Sequence, residues 1–503
     1  MSTLIGGVIR GSLWLTGARM ITNALGWIST IVLARLLTPD DFGLVAIGAS
    51  IQAILLAVTE LSLSQALIQH RAPEDDHIHT AWTLGLIRAT ALAVILALAS
   101  YPLSVLYGDV RLNWVINTTA FSVFLTGFSN ARIVLMQRQL IFWQDFLLGI
   151  SGRLVSVIVA IAIAVIYHSF WALLLGGIAA QIVNVLLSYM VIPYRPRFSL
   201  RHTRQLWSFS VWLTLGQAMN TINWRADQLL VGHSLGKAEL GYYSVGDNLA
   251  QMPTREATAP LRQTLFPAFS QISDDPDRLR AAYQRAQGLL TAAALPVGVG
   301  IALVAHPVVQ LAMSEKWLPV VPVIQALSTV FALQTMGTMV QPLGMALGAT
   351  KTLFKRDVHL FIVRLPIIIT AMLVWGLPGL IMARVFTGLY GMLISMTLVR
   401  QLTDLSLPQQ FGVNKRSLIA ILIMAVGVSL AHRFLLPPGG DSVLLLLVQI
   451  FSRAAIGAVL YLGGSWLLWR LEGRPRGPEQ EVADLLAKFI QRMKKRQQAP
   501  EPQ

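Results

Sequence analysis

Long apolar runs recur along the whole chain, broken by short polar segments. A helical run of about 18 residues or more reaches across the ~30 Å hydrocarbon core of a bilayer. Runs and breaks together predict fourteen spans: 12–37, 42–69, 80–106, 113–136, 142–166, 169–192, 206–232, 241–270, 283–312, 319–347, 358–376, 379–400, 417–436 and 443–469. Helices satisfy their own backbone groups, so the expected fold class is an all-α polytopic membrane protein with about fourteen transmembrane helices. The first run is too long for the apolar region of a secretory signal and has no small-residue cleavage pattern, so no cleavable signal peptide is expected.

The positive charges sharpen this picture. Only 13% of residues are charged and 55% are hydrophobic, where a soluble domain has roughly a quarter charged. The net charge of +15 is concentrated in alternate connections. One set carries Arg71, Arg138, the cluster Arg195, Arg197, Arg201 and Arg204, then Arg278, Arg280 and Arg285, Lys351, Lys355 and Arg356, and Arg400, Lys415 and Arg416, followed by the tail after Trp469. The other set is short and holds only Arg111, Lys237, Lys316 and Arg433. Basic loops stay on the cytoplasmic side, which places both termini there. The charge then sets orientation and faces anionic membrane lipids, and nucleic acid is not expected as a partner.

Several chemistries drop out. There is no cysteine, hence no disulfide and no thiolate site. The outer loops are too short for an enzyme active site, and no phosphate-binding loop, zincin pair or G-x-S-x-G occurs. No catalytic residues, metal ligands or cofactors are expected. The segment HRAPEDDHIH, 70–79, gathers His70, His77 and His79 with three acids, and reads as a solvated cytoplasmic loop before it reads as a metal site. In the tail, Val482, Leu485, Leu486, Phe489, Ile490 and Met493 recur at helical spacing beside a basic end, as in a helix lying on a membrane surface or on the cytoplasmic loops.

The chain repeats itself at an offset of 198 residues. SLWLT at 12–16 falls on SVWLT at 210–214, Gly43 on Gly241, Gly48 on Gly246, and Leu63, Gln65 and Leu67 on Leu261, Gln263 and Leu265. Six crossings return the chain to the same side, so the halves are parallel repeats. The expected organisation is a six-helix bundle over 1–192, a basic linker over 193–205, a second bundle over 206–402, two extra helices over 403–470 and a cytoplasmic tail over 471–503.

The repeat gives the polar stretch QMPTREATAPLRQTLFPAF, 251–269, a partner in 52–69, and so makes it a span. A mid-span charge costs ~3 kcal/mol on insertion scales, so such residues are expected to face a cavity between the halves. Within spans, arginines outnumber carboxylates. Arg19, Arg153, Arg225, Arg255 and Arg262 are the candidate substrate contacts, because a guanidinium fork suits phosphate. Arg225 is also a candidate partner of Asp247. Glu60, Asp247 and Glu256 are the candidates for coupling to H+ or Na+. Arg88, Arg364 and Arg384 stand near span ends and are expected to reach the interface.

LARLLTPDDFGLVA (33–46), ADQLLVG (226–232), LGYYSVGDNLAQMP (240–253), LFPAFSQISDDPDRLR (265–280) and EKWLPVVPVIQAL (315–327) resemble the polysaccharide transporter family of the multidrug/oligosaccharidyl-lipid/polysaccharide exporter superfamily. The likeness is greatest to Wzx-type flippases of the colanic-acid and exopolysaccharide branch, and runs over about residues 10–470. It implies two six-helix bundles in an inverted V, as in the MATE transporters, and alternating access. It also implies a bacterial inner-membrane location and, as cargo, an undecaprenyl-diphosphate-linked oligosaccharide for exopolysaccharide, capsule or O-antigen synthesis, with polymerase and glycosyltransferases as neighbours. It carries over no substrate-binding residue. The alternatives are a lipid II flippase, a cation-coupled multidrug exporter, and a membrane polymerase or scaffold of a glycan-synthesis complex.

Overall fold

The computed structural model describes residues 2–59, 67, 74–138, 143–203, 211–434, 442–475 and 477–480; the side chains of residues 2–16, 18, 19, 211–214, 260, 262 and 263 lie outside the described set. Every regular element among the described residues is helical. In order these are α1 (Ser2–Leu36), α2 (Pro39–Val58), α3 (Asp75–Leu106), α4 (Arg111–Thr126), α5 (Ile133–Arg138), α6 (Trp143–Tyr167) and α7 (Trp171–Val191). Then come α8 (Val211–Ser234), α9 (Lys237–Ser270), α10 (Pro276–Met313), a 3-10 turn (Glu315–Trp317), α11 (Val320–Thr338) and α12 (Val340–Ala346). The last three are α13 (Thr350–Thr403), α14 (Leu407–Phe434) and α15 (Val443–Leu471). Nine helices among the described residues are long and apolar enough to cross a membrane. This is a multi-pass membrane protein.

Among the described residues each sequence-predicted span is largely helical, with turns interrupting 113–136 at 127–132, while parts of 42–69, 206–232 and 417–436 lie outside them. The polar stretch 251–269 lies wholly within α9. Spans 358–376 and 379–400 run together in α13, interrupted at Gly376, whose φ of 62° and ψ of −142° suit only glycine. The expected amphipathic helix of the tail lies outside the described residues.

The packing divides the chain into two compact units, Met1–Ser244 and Val245–Gln503, with the boundary inside α9. In the first, α6 packs along α7, α3 along α4, and α8 along α2. In the second, α10 packs on α11, α14 and α15, and α13 packs on α11.

Sequence sets where these helices start. At α2, Thr38 Oγ1 accepts from the Asp41 amide (3.3 Å), while the Asp41 carboxylate accepts from the Thr38 amide (3.0 Å). With Pro39 in the first turn this is a reciprocal cap. At α10, Asp275 accepts from the Arg278 amide (3.1 Å) ahead of Pro276.

Prolines inside α10 do the opposite job. Pro296 and Pro307 have no N–H, so the carbonyls of Ala292 and Leu303, four residues earlier, lose their helical donors. Both are satisfied from α15: Tyr461 Oη donates to Ala292 O (2.8 Å), and Arg453 Nη1 donates to Leu303 O (3.0 Å). Side-chain donors close other exposed carbonyls the same way. Gln287 donates to Met336 O at the end of α11 (2.7 Å), and Asn130 to Ser188 O and Ile192 O at the end of α7 (2.9 and 2.8 Å).

The 198-residue repeat appears in the helix ends. It carries the end of α1, Leu36, onto the end of α8, Ser234, and the start of α2, Pro39, onto the start of α9, Lys237. The matched glycines also do matched work. A Cβ on Gly43 would overlap the carbonyl of Lys237, and a Cβ on Gly241 would overlap the carbonyl of Pro39. Each glycine thus faces the repeat counterpart of the residue facing the other, so α2 and α9 cross about a local two-fold. The second matched pair packs alike: a Cβ on Gly48 would stand 2.7 Å from Val115 of α4, and one on Gly246 would stand 2.6 Å from Val323 of α11.

An ionic knot closes around the crossing. Asp109 accepts from Arg111 (2.8 Å) and from Lys237 at the start of α9, while Arg111 also reaches Asp40 of α2 (2.7 Å). Burial pushes the Asp109 carboxyl up, but its bonds to Arg111 and Lys237 outweigh this and hold it at about 2, below an ordinary 3.8. The Asp109 carboxylate in turn raises the Arg111 guanidinium. Elsewhere, residues of the basic linker lie along the start of α3. Tyr194 Oη meets His79 Nδ1 (2.8 Å), Phe198 packs edge-on to Trp82, and the Ser199 amide donates to Thr83 (3.1 Å).

Two outcomes test the crossing. Gly43→Ala and Gly241→Ala should each cost ~1–3 kcal/mol by forcing backbones apart, seen as a lowered thermal unfolding midpoint in detergent. Gly149→Ala, on a stretch of α6 with nothing within 4 Å, should leave the midpoint unchanged or raise it. Because the folded Asp109 carboxyl sits below its unfolded value, its contribution is present above pH ~4 and is lost as pH falls towards about 2. Asp109→Asn should remove that part of the midpoint's pH dependence, measured by acid titration of thermal unfolding.

Candidate substrate-contact and coupling residues

Three of the sequence-predicted arginines lie in the first unit, and the side chains of two of them, Arg153 and Arg225, are described. Arg153 is half-buried on α6, and its guanidinium rests over Gly26 of α1, where a Cβ would stand 2.7 Å from Nη2. Its Nε is buried without a hydrogen-bond partner. Next to it, Gly152 admits Asn184 of α7, whose Oδ1 is likewise buried and unpartnered. Among the described residues a charged donor and a neutral acceptor therefore stand unsatisfied between α1, α6 and α7, which costs free energy.

Arg225, half-buried on α8, donates to Gln228 Oε1 (3.0 Å). The same oxygen accepts from Ser50 Oγ of α2 (2.6 Å). The amide holds the guanidinium in place, and no carboxylate pairs with it among the described residues. Asp227, two positions on, turns to another side and accepts from Tyr243 Oη of α9 (3.1 Å).

In the second unit, Asp247 on α9 accepts from Arg384 Nη2 of α13 (3.2 Å), with both side chains largely buried and the Phe331 ring 5.9 Å from the guanidinium. This corrects two expectations. Arg225 finds an amide rather than Asp247. Arg384 stays inside rather than reaching the interface, because a buried carboxylate offsets the cost of burying it. Arg88 also finds a partner within the fold, donating to Leu56 O (2.7 Å) and Thr59 Oγ1 (3.2 Å) at the end of α2.

Further along α9, Thr254 and Thr258 share the buried face of Asp247. Arg255 lies about a quarter turn away and is exposed, and Glu256 lies nearly opposite and is half-buried. Among the described residues neither side chain has a hydrogen-bond or ion-pair partner. The side chains of Arg19 and Arg262, and all of Glu60, lie outside the described residues.

The histidine-rich start of α3 brings Glu74, His77 and His202 together, with ligand atoms within 4.8 Å. The His77 and His202 rings are stacked 3.8 Å apart and nearly parallel, so their planes do not meet at one ion. His77 Nδ1 also accepts from the Glu74 amide (3.3 Å). In this arrangement the three form a helix cap with a stacked neighbour.

Charge alone flagged the candidates in the sequence, so Ser50, Gln228 and Asn184 passed unnoticed. A hydroxyl or amide inside an apolar run is the signal that points to them.

Residues 32–322 match the family described as polysaccharide biosynthesis protein. The chain is 26% identical to the lipopolysaccharide biosynthesis protein WzxC of Escherichia coli K12, covering 72% of this chain and 74% of that protein. It is 24% identical to the succinoglycan biosynthesis transport protein ExoT of Rhizobium meliloti 1021, covering 90% and 92%. Among solved structures it resembles the lipid II flippase MurJ in an inward closed conformation, with a TM-score of 0.73 and 16% identity over 92% of this chain and 99% of that one. It also resembles a multidrug resistance MATE family transporter of the MOP superfamily in an inward-facing conformation, with a TM-score of 0.62 and 14% identity over 79% and 99%. Helix content, repeat and backbone likeness agree on the fold that MurJ and MATE transporters share, and the match over more than half its residues makes this chain a member of the polysaccharide biosynthesis protein family.

Proposed function

We propose that the protein is a transporter, not an enzyme. Its cargo is an undecaprenyl-diphosphate-linked oligosaccharide, moved by alternating access across the bacterial inner membrane for exopolysaccharide, capsule or O-antigen synthesis. Both termini are cytoplasmic in this reading, as the alternation of basic loops requires. Polymerase and glycosyltransferases are the expected neighbours on the pathway.

One observation carries the reading at the level of chemistry. Arg153, Arg225 and Arg255 stand on helices of a membrane protein, and no carboxylate pairs with any of them among the described residues. A cation kept without a counter-ion on such a helix is costly, and an anionic cargo supplies what is missing. Diphosphate oxygens match the guanidinium fork. The relatives' names support this reading, one being a lipopolysaccharide biosynthesis protein and the other a succinoglycan biosynthesis transport protein. Outward movement of about two negative charges gains roughly 4–5 kcal/mol at 100 mV, inside negative, so the membrane potential favours export without ATP.

The coupling role falls to Glu256 before Asp247. Asp247 already has a guanidinium partner, whereas Glu256 has none among the described residues. An unpaired carboxylate is free to exchange H+ or Na+.

Arg255→Ala should abolish polymer export while the protein still inserts, with undecaprenyl-diphosphate oligosaccharide building up in the inner leaflet. Normal export from a well-expressed variant would refute the assignment. Normal polymer in a strain lacking the gene, together with altered sensitivity to cationic drugs, would instead favour the multidrug exporter. Asp247→Ala should behave differently, lowering the thermal unfolding midpoint by removing the carboxylate that faces the buried Arg384, a loss of ~3–5 kcal/mol. Adding Arg384→Leu should restore part of that loss.

A further inference from the structure

The second unit contains a cavity of about 930 Å3 between α10, α11, α14 and α15. That is near the upper end of the ~300–1,000 Å3 typical of organic ligands. Its long walls are apolar, formed by residues such as Leu295, Val299, Leu418 and Ile421. Its polar groups gather towards one end, where His306, His432, Gln449 and Arg453 meet. No Asp or Glu lines it.

Arg453 is the centre of the polar end. Its side chain is buried, with 8% exposed. Nη1 donates to Leu303 O (3.0 Å), and Nη2 approaches the His432 ring (2.9 Å) and Gln449 Oε1 (3.3 Å). None of these partners is a carboxylate. Nε is buried with no partner, and no carboxylate pairs with the guanidinium among the described residues. Docking α15 onto the carbonyl freed by Pro307 accounts for one nitrogen. It does not neutralise the charge, which remains uncompensated at the head of an apolar chamber.

The dimensions select the occupant. Leu295 to His306 is eleven residues along α10, and Leu418 to His432 is fourteen along α14. At ~1.5 Å per residue these spans are about 16 and 21 Å. One leaflet of a ~30 Å hydrocarbon core is about 15 Å deep. We propose that this cavity binds one anionic glycerophospholipid of the bilayer, with its phosphate on Arg453 and an acyl chain along the apolar walls. A long polyprenyl chain overruns this depth. A zwitterionic head brings an ammonium group for which the lining offers no carboxylate. The site is thus for a resident lipid, separate from the cargo and independent of what the cargo is.

The test uses the full-length protein, delipidated in detergent and titrated with single lipids while bound species are counted by native mass spectrometry. The wild type should retain one phosphatidylglycerol at least ~tenfold more tightly than phosphatidylcholine, the difference expected for a buried charge-assisted contact. Arg453→Gln should abolish that preference. Ala425→Trp fills the cavity from α14 without touching Arg453 and should abolish binding, so it decides the matter if Arg453→Gln does not fold. Equal retention of both lipids, or wild-type binding by folded Ala425→Trp, would overturn the proposal. Displacement of phosphatidylglycerol by equimolar undecaprenyl phosphate would also overturn it, giving the cavity to the carrier lipid.

Discussion

A polar group inside an apolar helix packing must find a partner within the protein, and much of this structure answers that requirement. Water is not at hand to satisfy a carbonyl freed by a proline or left over at a helix end. The chain sends side chains instead: Tyr461 and Arg453 to the two freed carbonyls of α10, Gln287 to the end of α11, Asn130 to the end of α7, and Arg88 to the end of α2. Each such bond joins two different elements. Prolines and helix ends, which weaken a helix locally, thereby become attachment points. The final helix α15 is held to α10 by two of them.

Against that background the unanswered groups stand out. Arg153 Nε, Asn184 Oδ1 and Arg453 Nε are buried without a hydrogen-bond partner, and the exposed Arg255 has no carboxylate beside it among the described residues. The paired charges, Asp247 with Arg384 and Asp109 with Arg111 and Lys237, set the comparison. Structural ion pairs in this protein come with their counter-ions built in. In the proposed reading, Arg153, Arg225, Arg255 and Arg453 are where a negative group arrives from outside.

The elements were legible in the sequence because their cause is local. Apolar runs fix helices, Thr38-Pro39-Asp40-Asp41 fixes a start, and the Gly376 break falls where two spans had been separated. The repeat was legible from Gly43 and Gly241, though not the fact that the two meet. Pairing was harder to read. Asp247 and Arg384 are far apart in the chain, and charge alone does not say which arginine a carboxylate finds. Gln228 and Ser50 were invisible to a search for charges. Arg384 resembles other arginines near span ends until Asp247 is seen beside it.

The crossing of α2 and α9 has a form familiar from symmetric dimers. Gly43 lies against Lys237 and Gly241 against Pro39, so each copy of the repeat offers the same patch to the other and receives it in return. That reciprocity defines an isologous interface, normally found between two identical subunits. Here it is written into one polypeptide. A single-repeat ancestor bearing this glycine patch would already have been self-complementary, able to pair with its twin before duplication joined them. Joined in one chain, the two copies need to match only where they meet, at the glycines.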